Sequence, residues 1–147
     1  MSLTLAQARD AVGLLINTAW LAAPAAAGIS MRWDNVKADK PGEDGTTTNA
    51  EPFARTTIRV IESPQITQGR RRYQTEGSVT VQIFTPFGDG HTVGDALVQV
   101  ILDTLRGHAG GTDGLWFFDI NPNELGTEGP WFMTIVGATF RFQELAP

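Results

Sequence analysis

The stretch "RRRYQTEGSVTVQIFTPFGDGHT" (residues 70–92) decides the architecture. From Thr75 onward, Thr75, Gly77, Val79, Val81 and Ile83 alternate with Glu76, Ser78, Thr80 and Gln82. Successive side chains of a strand point to opposite faces, so this alternation describes a strand with one face buried and one solvated, the habit of antiparallel sheets. Upstream, "RTTIRVIES" (residues 55–63) reads as a second strand stopped by Pro64, with residues 65–69 as the turn of a hairpin that has a long second arm. Downstream, "PFGDG" (residues 86–90) is a turn, and Thr92-x-x-Asp95 has the pattern of a helix N-terminus with Thr92 as its cap. The inward stripe of that helix reads Val93, Ala96, Leu97, Val100, Ile101 and Leu105, and Gly107 is placed as the C′ residue.

Working outward, Thr4-x-x-Gln7 is a capping box, in which hydroxyl and amide satisfy each other's orphan backbone donors. Leu5, Ala8, Val12, Leu15, Ile16 and Ala19 then recur at helical spacing, which predicts a helix over residues 4–22, closed by Pro24. "ISMRWDNV" (residues 29–36) reads as a short strand, and residues 37–52 form a long, polar, flexible loop. After the "HAGGTDG" connection, "LWFFDI" (residues 115–120) is a strand apolar but for Asp119, "NPNELGTEG" turns the chain, and "PWFMTIVGATFRFQEL" is the last strand. In that strand Phe132, Val136, Phe140 and Phe142 share one face, yet Trp131, Met133 and Ile135 make the other face apolar too. Either the domain covers both faces or a partner covers the second. The order predicts a single α+β domain spanning residues 1–147, a mainly antiparallel sheet with two helices packed on it.

Composition narrows the chemistry. With 41% hydrophobic and 18% charged residues the chain is of the globular kind. Its net charge of −5 denies it general attraction to nucleic acid. Having no cysteine, it can form no disulfide, thiolate metal site or cysteine nucleophile. The run "AVGLLINTAWLAAPAAAG" has some look of a secretory signal, but Arg9-Asp10, Asn17 and Thr18 favour the amphipathic helix. The same interruptions make it a poor membrane span.

No motif carries catalysis. "FGDGHT" lacks the Lys of a phosphate loop, and Asp89 would repel a phosphate. His91 and His108 flank the second helix at ends roughly 20 Å apart, so they cannot share a metal within one chain. Asp89 with His91, or His108 with Asp113, would each be half a site. The expectation is a protein that is not an enzyme, with no cofactor and no metal. Arg70, Arg71 and Arg72, with Tyr73 beside them, read as solvated charge at a strand end or as partners for carboxylates on a neighbouring subunit.

The series from the Arg-rich strand through "VQIFTPFGDG" into "GDALVQVILDTLRG", joined to "GPWFMTIVGATFRF", resembles the tail terminator (tail completion) proteins of long-tailed bacteriophages and phage-derived particles. The resemblance covers most of the chain as a pattern of elements. It implies a virion structural protein that assembles as a hexameric ring at the head-proximal end of the tail tube. Such a ring ends tube polymerisation and joins the tail to the head connector, while genomic DNA passes through its lumen unread. The implied partners are further copies of itself, the tail tube protein and the head–tail connector protein, with no membrane, in the host cytoplasm during assembly and in the virion afterwards. On this reading Arg70, Arg71, Arg72, Tyr73, Trp131, Met133 and Ile135 are candidate subunit or tube contacts. Three alternatives stay open: a neck or head–tail joining protein, a small ligand-binding or catalytic α+β dimer, and a nucleic-acid binder whose DNA affinity falls steeply with salt.

Overall fold

The computed structural model describes residues 3–33, 52–66, 72–88, 90–108 and 114–145. Helix α1 (Leu5–Ala22) is followed by a short 3-10 turn (Pro24–Ala26), strands β1 (Ser30–Trp33), β2 (Phe53–Glu62) and β3 (Arg72–Pro86), helix α2 (Thr92–Arg106), and strands β4 (Trp116–Glu128) and β5 (Trp131–Leu145). The strands form one sheet in the order β1-β2-β3-β5-β4. Only β1 pairs in parallel, with β2; the other three pairings are antiparallel. This is the α+β fold the sequence predicts. Among the described residues no helix is long and apolar enough to cross a membrane.

The hairpin forms as expected. Val81 of β3 faces Thr56 of β2 on one side and Val136 of β5 on the other. Thr75, Gly77, Val79, Val81 and Ile83 are all buried, and the intervening polar residues are half-exposed. Those buried positions lie under the helices with Val136, Ala138, Phe140 and Phe142 from β5. Of the predicted turn at residues 65–69, Gln65 bridges to Tyr73 and residues 67–69 lie outside the described residues, as do residues 34–51, 70 and 71 and the acidic ends of both half-sites, Asp89 and Asp113.

Helix α1 begins at the predicted box: Gln7 N–H donates to Thr4 Oγ1 at 3.2 Å, and Thr4 N–H donates to Gln7 Oε1 at 2.9 Å. Thr4→Ala removes one half of that exchange and costs about 1 kcal/mol. A urea titration should show a lowered midpoint with unchanged slope. The buried stripe is Ala8, Val12, Ile16 and Trp20, whereas Leu5 is 42% exposed. A strict i, i+4 row packs on the sheet, and Trp20, outside the predicted stripe, is its largest member.

Four sequence expectations are corrected. The cap position of α2 is His91, whose side chain makes no capping bond, and Thr92 is already helical. Gly107 is the C-cap in right-handed geometry (φ −80°), so no left-handed C′ glycine closes the helix there. Its buried stripe is Gly94, Leu97, Val98, Ile101, Leu102 and Leu105; Val93 is 44% exposed. The largest correction concerns "NPNELGTEG". Its first eight residues continue strand β4, and the chain turns only at Gly129-Pro130. An edge strand tolerates Pro122, because the missing N–H is needed on one side only. Register breaks between Phe118 and Asn121 and between Glu124 and Gly126 absorb the turn-forming residues. Asp119 (φ 53°) and Gly126 (φ 92°) take the left-handed conformation there, which Asp and Gly adopt most readily.

Candidate interaction surface

Both helices pack on one face of the sheet, so among the described residues the second face is open. Register assigns its occupants. Arg32, Arg55 and Gln82 stand in one row across β1, β2 and β3, and Ile135 continues it on β5. Arg59, Ser78, Thr139 and Phe118 form another row, and Glu76, Arg141 and Trp116 a third.

This face has a small apolar core of its own. The Phe53 and Phe84 rings stack at 4.5 Å, and Trp131 meets Phe53 edge-on at 5.1 Å, with Met133 packed alongside. Of the two covers the sequence allows for this side of β5, the domain itself supplies the one for Trp131, which is 7% exposed. Arginines roof the cluster. The Arg32 guanidinium lies 5.4 Å from the Phe53 ring centre and that of Arg55 5.7 Å from Phe84, distances at which the ring quadrupole attracts a cation. Arg55 also donates to Gln82 Oε1 through Nε (2.8 Å) and Nη2 (2.6 Å), which holds the head group flat on the sheet. The Arg32 Nε is buried and has no hydrogen-bond partner among the described residues.

Farther along, Arg141 pairs with Glu76 at 2.9 Å and sits 4.8 Å from the Phe118 ring. Arg72 donates to Gln143 Oε1 at 2.7 Å. Arg59 projects exposed near the end of β2, where Val60 and Ile61 are 37% and 62% exposed.

The predicted contact residues are thus split. Arg72 lies on the open face, opposite Leu145 of β5. Tyr73 is half-buried opposite Glu144, at the point where Gln65 bridges to it. Trp131 and Met133 are taken up in the small aromatic core, Ile135 is half-buried on the open face, and Arg70 and Arg71 lie outside the described residues. Sequence reasoning missed Arg32, Arg55, Arg59 and Arg141, which are scattered singly in the chain and converge only through strand pairing. A period-two reading of residues 53–59 would have put Arg55 and Arg59 on one face with Phe53.

The histidines do lie at opposite ends of α2. His108 packs edge-on against Phe117, with ring centres 5.3 Å apart, and His91 against Phe132 at 5.0 Å. The partners of His91 are Asp95, one helical turn on, and Glu124 from β4; one ligand atom from each lies within 4.8 Å of the others, and all three residues are exposed. Glu124 was hidden from the sequence because its segment reads as a turn. Beside the trio is a hollow of about 360 Å³, lined by Phe87, His91, Thr127 and Phe132 among others.

No family model and no curated protein sequence matches this chain. Solved structures do match. One of them, 16% identical, aligns over 95% of this chain and 94% of its own length with a TM-score of 0.64. At that identity the likeness establishes a shared fold over the aligned length, and the fold alone.

Proposed function

We propose that this protein is a ring-forming structural subunit of the tail-terminator type, which caps the head-proximal end of a phage-like tail tube and offers a surface to the head connector. The observation that best supports this reading is the open sheet face. Strands β3 and β5 pair over fifteen residues, roughly 50 Å at ordinary strand rise, and one whole side of them carries no helix among the described residues. Its middle is made of flat amides and hydroxyls with arginines laid over aromatic rings, a composition suited to protein contact. Stopping a polymer requires a subunit with two unlike surfaces, one that binds the last tube ring and one that recruits no further ring. A head-to-tail contact whose rotation closes supplies the ring.

Native mass spectrometry over a concentration series, with cosedimentation on purified tail tubes, tests the reading. A sixfold species that binds tube ends supports it, and a stable dimer at every concentration counts against it. Selective capture of the connector without the tube would point instead to a neck or head–tail joining protein. Reversal of the arginine run (Arg70→Glu, Arg71→Glu, Arg72→Glu) should leave circular dichroism unchanged and weaken assembly on the order of tenfold or more. Unaltered assembly would remove the run from the contact.

A further inference from the structure

We infer that the arginine-bearing end of the open sheet face docks onto the carboxylate corner formed by α2 and β4 of a second copy of this chain, with Arg59 seated between Asp95 and Glu124. The inference rests on the ring reading above and names its subunit contact.

Charge is the first argument. On β1, β2, β3 and β5 the open face carries five arginines against Glu62 and Glu76, a net +3, which leaves −8 on the remainder of a chain whose total is −5. A surface so segregated is complementary to another part of the same molecule, and opposed potentials steer and orient association.

The corner is the second. Asp95 and Glu124 hold carboxylate oxygens within 4.8 Å, both residues are exposed, and among the described residues no Lys or Arg pairs with either. Two like charges that close repel, and a guanidinium relieves the repulsion with hydrogen bonds to both. Arg59 suits this role because, unlike those of Arg55 and Arg141, its side chain is neither laid over a ring nor hydrogen-bonded among the described residues.

Both patches also pair charge with apolar surface. Val60 and Ile61 stand exposed beside Arg59, and the hollow with Phe87, itself 65% exposed, opens beside the carboxylates. The patches lie far apart: Arg59 is opposite Ser78, whereas Glu124 is opposite Thr134, which pairs with Ile83. Unlike patches at separate places make a head-to-tail contact, the kind that closes into rings.

The test is charge exchange read by sedimentation velocity. Arg59→Glu alone, and Asp95→Arg with Glu124→Arg, should each weaken self-association on the order of tenfold or more. An equimolar mixture of the two variants should restore it, since each then offers the other a matched pair. Thermal melts control for folding, and the milder Asp95→Asn with Glu124→Gln should weaken association in the same direction. Full assembly by both charge-reversed variants separately would overturn this contact and leave the ring reading standing. A wild-type chain that does not self-associate, even on tail tubes, would overturn both. Salt-sensitive binding of duplex DNA, lost in Arg59→Glu while assembly stays intact, would assign the face to a polyanion and overturn the contact.

Discussion

Gly77→Ala should lower the melting temperature by roughly 6–12 °C, corresponding to about 3 kcal/mol in a domain of this size. Gly77 sits mid-strand in β3, between Val60 of β2 and Phe140 of β5. A Cβ built there would come closer than real Cβ atoms do to both the Arg59 carbonyl oxygen and the Phe140 ring edge. The ring is fully buried and stacks 6.3 Å from Phe142, so it has little room to withdraw. The carbonyl belongs to the β2–β3 ladder and can move only by breaking it. Phe140→Leu in the same chain should relieve the ring overlap and not the carbonyl, so the double variant recovers only part of the loss. A shift under about 2 °C for Gly77→Ala would mean that the two strands separate more easily than dense packing permits.

Trp20→Ala should be the most damaging single truncation, at about 3–5 kcal/mol. Whole domains are stable by only about 5–15 kcal/mol, so a large unfolded fraction is expected at moderate temperature. Trp20 is 2% exposed at the end of α1, and its indole N–H donates to the Ile29 carbonyl at 2.8 Å. It therefore anchors the helix to the core and pins the chain where it enters β1. Trp20→Phe separates the two effects: most of the packing remains and the carbonyl loses its donor, a cost of about 1–2 kcal/mol. Urea midpoints for the two variants should differ clearly. Equal midpoints would mean that the hydrogen bond, and not the ring, carries the stabilisation.

Local chemistry reads well from a sequence where one segment obeys one period. The alternation from Thr75 to Ile83 places β3 with the correct face inward, because a strand's side chains have no third direction to take. The capping box at Thr4 and Gln7 sets the start of α1 because both partners lie within one turn. The same reading misplaces the start of α2. Thr92 has the right type for a cap, but the chain entering from Pro86 leaves His91 at that position, with its ring against Phe132. It also breaks β4 at Asn121, where Asn, Pro and Gly stand together. A turn preference of that kind yields when β5 offers a full ladder on one side and solvent lies on the other.

The sequence by itself determined the α+β class, both helices, the central hairpin, the lack of thiol chemistry and the acidic balance, since each follows from composition or from one short periodic segment. Only the tertiary structure decided which charges share a surface. Arg32, Arg55, Arg59 and Arg141 sit on three different strands, and Glu124 reaches His91 and Asp95 only because β4 runs on past its proline. Strand order and register between distant segments set those neighbours, and a pairing that depends on two segments at once leaves no mark in either one alone.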